Sequence, residues 1–121
     1  MAQTRLLLVE DDRALADLVA FHFARANYVV TRTGDGEEAL LLVDEIRPDI
    51  ILLDWMIEGI SGIEVCRRLR RKPSTANVPI VMLTARGEEG DRIRGFETGA
   101  DATAAATQAT ELKPLDPSTL K

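Results

Sequence analysis

Four short segments of this chain are apolar at consecutive positions instead of alternate ones, and this feature restricts the fold more than any other. They are Leu6 to Val9, Tyr28 to Val30, Ile50 to Leu53 and Ile80 to Leu83. Continuous apolarity is typical of strands covered on both sides, as in a parallel sheet. We therefore expect these segments to be strands of one parallel sheet.

Segments with a helical spacing of apolar residues lie between the predicted strands. Three of them begin after a good N-cap residue, namely Asp12, Asp35 and Ser61. Glu38 and Glu64 stand three positions after the second and third caps, as in a capping box. Right-handed crossovers place such helices on both faces of the sheet. The chain is thus predicted to be a doubly wound α/β domain.

The length and composition fit one such domain. A chain of 121 residues can bury one core and is too short for two domains. The net charge of -5 argues against a nucleic-acid surface, and no apolar run is long enough to span a bilayer. The single cysteine, Cys66, cannot form an internal disulfide, which fits a cytoplasmic protein.

Polar residues stand where three of the predicted strands end, the edge at which doubly wound domains bind their ligands. They are Glu10, Asp11 and Asp12 after the first strand, Asp54 after the third, and Thr84 after the fourth, where the small residue Ala85 follows it. Several carboxylates on one edge repel anions and favour a hard cation such as Mg²⁺. Directly before the first helix, Asp12 is expected to be a helix cap and not a ligand.

Asp54 is the candidate for covalent chemistry at this edge. A carboxylate can attack as a nucleophile and form an acyl phosphate, while a metal ion neutralises charge during phosphoryl transfer. The hydroxyl of Thr84 would then hydrogen-bond a phosphoryl oxygen. The residues indicate a phosphoacceptor, a phosphatase with an aspartyl nucleophile, or an interaction module. The phosphatase is disfavoured because Met56 stands where those enzymes need a second Asp.

Four stretches of the chain carry a family pattern: LVEDD at 8–12, PDIILLDWM at 48–56, PIVMLTAR at 79–86 and GAD at 99–101. Together they resemble the receiver domain of bacterial two-component response regulators of the OmpR/PhoB subfamily, and within it the phosphate-regulon regulators. The resemblance implies a flavodoxin-like sheet with strand order 2-1-3-4-5, in which the first and third strands are neighbours.

The resemblance also implies a function. Asp54 would accept a phosphoryl group from a sensor histidine kinase, and Glu10, Asp11, Asp54 and the backbone carbonyl of Met56 would hold Mg²⁺. Such a domain is a signalling domain and not an enzyme in the usual sense, although it catalyses its own phosphorylation and dephosphorylation. In the subfamily it controls a DNA-binding output in transcription, which is missing from this chain.

The chain departs from the family pattern after Asp101. We therefore divide it into a receiver core at 1–101 and an atypical tail at 102–121, with the fifth strand and fifth helix altered or missing. The family has a Lys-Pro pair five and six residues beyond this Asp, whereas Lys113 stands twelve residues beyond it. Either the intervening run bulges out and Lys113 still reaches the phosphoryl group, or the tail has no family function.

The altered tail also bears on switching and on self-association. The resemblance makes Thr84 and Ala85 the switch residues beside the phosphoryl group. In the family the fourth helix, fifth strand and fifth helix form the face that pairs two receivers, so a homodimer of this chain is expected to use another face. The alternative to a working receiver is a switching-defective interaction module with the same fold.

Overall fold

The fold is an alternation of strands and helices. The computed structural model of the protein describes residues 3–57, 59–84 and 102–105. The elements in these ranges are β1 (Arg5–Val9), α1 (Arg13–Arg25), β2 (Val29–Thr33), α2 (Gly36–Ile46), β3 (Ile50–Asp54), α3 (Gly62–Arg71), β4 (Ile80–Thr84) and β5 (Ala102–Ala105). No helix in this part of the chain is long and apolar enough to cross a membrane.

The three helices begin where the N-cap chemistry of the sequence predicts. The side chains of Asp12, Asp35 and Ser61 each accept a hydrogen bond from the backbone N–H three residues later. Each bond satisfies one of the N–H groups that the first turn of a helix leaves unpaired. All three predicted caps are confirmed.

The strands form one parallel sheet with the order β2-β1-β3-β4-β5. In its ladders Val9 is the partner of Leu53, and Asp54 is the partner of Leu83. The predicted order 2-1-3-4-5 is therefore confirmed, and β1, β3 and β4 end side by side on one edge.

Two cores, one on each face of the sheet, explain the continuous apolar segments. Successive strand residues point to opposite faces. Leu7 and Ile51 pack with residues of α2 and α3 on one face, whereas Leu8 and Leu52 pack with residues of α1 on the other. These four side chains have no exposed surface. Both faces of the central strands must consequently be apolar.

The second strand differs from its prediction. It was expected at Tyr28 to Val30, but β2 runs from Val29 to Thr33 and lies at the edge of the sheet. Among the strands that the structure describes, its one partner is β1, and Val29 is 44% exposed. Lower burial allows polar residues in this strand. The continuous apolar pattern therefore stops at Val30, although the strand continues to Thr33.

The fifth strand is present, so of the two predicted alternatives, altered or missing, the second does not apply to this strand. Ala102–Ala105 continues the sheet as a parallel neighbour of β4, with Thr84 opposite Ala105. Ala and Thr have no shared preference for one secondary structure, and here the backbone hydrogen bonds to β4 decide the outcome. The part of the tail in which the fifth helix is predicted to be altered or missing lies outside the described residues, as does Lys113.

Candidate functional site

The acidic residues predicted at the strand ends meet beside β1 and β3. Because Val9 and Leu53 are ladder partners, the residues that follow them, Glu10 and Asp54, are also neighbours. One carboxylate oxygen each from Glu10, Asp11 and Asp54 lies within 4.8 Å of the other two. The order of the parallel strands thus brings two adjacent acids after β1 together with a third acid that is distant in the sequence.

Glu10 is the most buried of the three acids, with only 6% of its surface exposed. Its backbone N–H donates a hydrogen bond to the carbonyl oxygen of Thr33 over 2.9 Å. Its carboxylate Oε2 accepts a hydrogen bond from the N–H of Asp12 over 3.1 Å. Both the backbone and the side chain of Glu10 are therefore fixed at the end of β1.

Asp54 is half-buried at the end of β3, and Asp11 is exposed at the mouth of the site. The Oδ1 atom of Asp54 accepts a hydrogen bond from the N–H of Met56 over 3.3 Å. The Met56 side chain is 76% exposed and turns away from the core. Burial therefore decreases across the site from Glu10 through Asp54 to Asp11, and the site is open to solvent on the Asp11 side.

Burial makes the charged forms of two of these acids unfavourable. It raises the pKa of Glu10 from 4.5 to about 8, and a hydrogen bond with Asp54 adds to this rise. Burial also raises the pKa of Asp54, although its hydrogen bond with Glu10 acts in the opposite direction. Close carboxylates with little water cannot all ionise without a compensating charge. The site therefore favours either a shared proton or a cation.

Gly62, at the start of α3, lies against the backbone of Asp54. It is not among the site residues that the sequence predicted. Its N–H donates to the carbonyl oxygen of Trp55 over 2.9 Å, and the Trp55 N–H donates to that of Leu83 over 3.0 Å. A Cβ atom on Gly62 would overlap the carbonyl oxygen of Asp54. The only sequence signal was a glycine at the first position of α3, directly after the Ser61 cap.

The donor set suits a hard divalent cation. Mg²⁺ prefers oxygen ligands at about 2.1 Å, so ligands on opposite sides of the ion are about 4.2 Å apart. The oxygens of Glu10, Asp11 and Asp54 need only a small contraction, or an intervening water molecule, to reach that spacing. The charge of a cation would also oppose the effect of burial and lower these raised pKa values. The residues present therefore fit a metal site.

The other predicted site residues are placed less completely. Asp12 is a helix cap, since its Oδ1 accepts the Leu15 N–H over 3.1 Å. Thr84 ends β4, one residue beyond the partner of Asp54, so its backbone stands at the same edge as the acids. The Thr84 side chain, Ala85 and Lys113 are outside the described part of the structure.

Comparisons with known proteins agree with this architecture. Residues 6–117 match the response regulator receiver domain. Two proteins called phosphate regulon transcriptional regulatory protein PhoB, from Rhizobium meliloti (strain 1021) and Escherichia coli (strain K12), are 47% and 45% identical over 97 residues. The alignments cover 80% of this chain and 43% and 42% of those proteins, so the chain spans less than half of their length.

Two solved structures show the same fold. The chemotaxis response regulator CheY4 of Vibrio cholerae has a TM-score of 0.81 at 27% identity, covering 98% of this chain and 93% of that one. The receiver domain of sensor histidine kinase PA1611 from Pseudomonas aeruginosa PAO1, with a magnesium ion coordinated in its active-site cleft, has a TM-score of 0.79 at 28% identity, covering 98% and 92%.

The parallel sheet in this order, the acidic pocket at its carboxyl edge and the family match together make this a signalling domain of the two-component type. The chain belongs to the family of response regulator receiver domains. The resemblance to the OmpR/PhoB subfamily is likewise confirmed by its PhoB relatives.

Proposed function

We propose that this domain accepts a phosphoryl group on Asp54 from a sensor histidine kinase, in a reaction that depends on Mg²⁺. The observation that carries the proposal is the convergence of Glu10, Asp11 and Asp54, with carboxylate oxygens within 4.8 Å of one another. Asp54 is the acceptor because it ends the central strand β3 and remains partly accessible. Family membership supports the same assignment.

The transfer is a substitution at phosphorus. A carboxylate oxygen of Asp54 forms the new bond to phosphorus, and the phosphorus–nitrogen bond of the donor phosphohistidine breaks, with the electron pair left on the imidazole nitrogen. The Asp54 carboxyl must be ionised to attack, and its raised pKa opposes this. A bound Mg²⁺ supplies the positive charge that favours the ionised carboxylate and offsets the charge of the phosphoryl oxygens.

Glu10 and Asp11 would hold the cation directly or through water, together with Asp54 and the backbone carbonyl of Met56. The magnesium ion in the PA1611 receiver supports this choice of metal. Catalysis by the domain of both phosphoryl transfer and later hydrolysis belongs to the same proposal, since the metal and acceptor serve both steps.

The proposal includes a switch and an output. Thr84 and Ala85 would respond to the phosphoryl group, and Lys113 would pair with it if the tail permits. The output would be a DNA-binding domain that controls transcription, and the protein would be cytoplasmic. The PhoB relatives are transcriptional regulatory proteins, which supports an output in transcription. We assign no contact with nucleic acid or a membrane to this chain. The proposed receiver core is again 1–101. A homodimer would use a face other than the usual one of the family.

The test combines acetyl phosphate, Mg²⁺ and intact mass measurement. The wild-type domain should gain one phosphoryl group, and EDTA or the Asp54→Asn substitution should abolish the gain. Trp55, directly after the acceptor, should report metal binding by fluorescence. The matched control is Asp44→Asn, which removes an exposed acid of α2 that is paired with Lys72 and should leave phosphorylation unchanged.

Absence of a gain in the wild type, despite a fluorescence change with Mg²⁺, would contradict the proposal. That result would favour the alternative of a switching-defective module that keeps the receiver fold. Phosphorylation that persists in Asp54→Asn would show that the acceptor is wrongly assigned.

A further inference from the structure

A second feature of the acidic edge is a cleft of about 450 Å³ beside it. Glu10 and Asp11 form one part of its lining, Asp35 and Glu38 another, and Arg13 and Arg32 supply the two cations. The cleft therefore leads from the acidic site over the start of α1 and the loop that follows β2. Among the described residues that line it, four carboxylates stand against two cations, and this balance makes the approach unfavourable for an anionic phosphodonor.

The two cations differ in what they contact. The Arg32 guanidinium is bound to the Asp17 carboxylate over 2.8 Å. Arg13 is exposed, and within the described ranges no hydrogen bond or ion pair engages its side chain. Of the two arginines in the cleft, Arg13 is the one whose charge and donors are available to a ligand.

The position of Arg13 in its helix also calls for an explanation. It is the first residue of α1, and the first turn of that helix contains no acid. A helix N-terminus carries a partial positive charge and disfavours a cation. The dipole of α1 therefore does not account for an arginine at this position. Arg13 lines the same cleft as Glu10 and Asp11, where its charge could act on a ligand that approaches the acidic site.

We infer that Arg13 is a specificity-determining residue that draws small anionic phosphodonors, of the acyl phosphate class, into the acidic site. The inference rests on the proposed function of Asp54. Its guanidinium would contact the oxygens of the donor before transfer. In the transfer itself an Asp54 oxygen bonds to phosphorus, the bond from phosphorus to the acyl oxygen breaks, and the carboxylate leaves with the electron pair.

The experiment measures phosphorylation rates with acetyl phosphate at saturating Mg²⁺ and low ionic strength. Arg13→Gln should lower the second-order rate constant about five-fold, because loss of one steering charge changes on-rates by about that amount in a charged cleft. The maximal rate at saturating donor should stay unchanged. Arg13→Lys should stay close to the wild type, and the loss in Arg13→Gln should shrink at high salt because exposed charges are then screened.

Two further readouts separate donor binding from a structural role. Phosphoramidate carries less negative charge than acetyl phosphate. Arg13→Gln should therefore lower the rate constant for phosphoramidate by a smaller factor than the rate constant for acetyl phosphate. The Mg²⁺ affinity of Arg13→Gln, followed by Trp55 fluorescence, should rise or stay constant, because a cation beside the acids has been removed. The matched control Arg25→Gln removes an exposed arginine at the other end of α1 and should match the wild type in every measurement.

Equal rate constants for wild type and Arg13→Gln would overturn the inference while leaving Asp54 as the acceptor. An equal loss with both donors, or a loss in the maximal rate, would also overturn it and give Arg13 a role in arranging the site. If the wild type itself gains no phosphoryl group, the proposed function fails and the inference fails with it.

Discussion

The buried Glu10 leads to a prediction about the stability of the metal-free protein. The carboxyl pKa is about 8 in the folded state and 4.5 in the reference state. Below pH 4.5 the group is protonated in both states and has no effect. Between pH 4.5 and about 8 only the unfolded chain loses the proton, so the free energy of unfolding falls as the pH rises.

The size of the effect follows from the same two values. One unit of pKa difference corresponds to about 1.4 kcal/mol. At pH 7 the carboxyl of the unfolded chain is ionised, because the pH lies two and a half units above its pKa of 4.5, while the folded carboxyl is still mostly protonated. The free energy of unfolding is therefore lower by about 3 kcal/mol at pH 7 than below pH 4.5. The raised pKa of Asp54 acts in the same direction.

The assay is urea unfolding with EDTA at a series of pH values from 5 to 8. Wild-type stability should decline across this range. Glu10→Gln should be more stable than the wild type at pH 7 by up to about 3 kcal/mol, because a neutral amide keeps an acceptor for the Asp12 N–H. Glu45→Gln, an exposed acid of α2, is the matched control and should keep the wild-type slope.

A wild-type stability that is flat or rises with pH over this range would refute the reasoning. So would a Glu10→Gln protein that unfolds more easily than wild type at pH 8. Addition of Mg²⁺ should reverse the pH trend in the wild type, because the metal binds the ionised carboxylates and competes with protons.

Substitutions at three other positions test elements of the fold, each by urea unfolding. Gly62→Ala should destabilise the domain by more than about 2 kcal/mol and weaken Mg²⁺ binding, because the new methyl group overlaps the Asp54 carbonyl; wild-type values would contradict this. Thr75→Val should lower stability by about 1–2 kcal/mol, because the buried hydroxyl donates to the Leu69 carbonyl over 2.6 Å. Asp35→Ala should lower it by about 1 kcal/mol through loss of the cap of α2, and Asp35→Asn should restore most of it.

The parts of the fold that the sequence predicted well depend on local chemistry or on burial at both faces. A cap such as Asp12, Asp35 or Ser61 acts within three residues, so its signal is contained in the sequence itself. The central strands must be apolar on both sides, which leaves a plain pattern. The grouping of Glu10 with Asp54 then followed from the strand order implied by the family resemblance.

The parts that could not be predicted depend on contacts between distant residues. The end of β2 is set by pairing with β1 at an edge, where burial leaves no continuous pattern. The strand at Ala102–Ala105 is set by pairing with β4, because its own residues favour no single structure. The role of Gly62 depends on the approach of the start of α3 to the Asp54 carbonyl, which only the three-dimensional structure reveals.

The clustered carboxyls at the acidic edge lower the stability of the metal-free fold, but they would favour the proposed phosphoryl transfer. Two partly or largely buried carboxyls with raised pKa values weaken the metal-free fold near neutral pH. A cation that binds only the folded state adds a stabilisation that grows with the logarithm of its concentration. The same ion would ionise Asp54 and so prepare the nucleophile. Under the proposed function, metal binding, stability and readiness for phosphoryl transfer would therefore be coupled through the same carboxylates, and Glu10→Gln should weaken this coupling while it stabilises the metal-free domain.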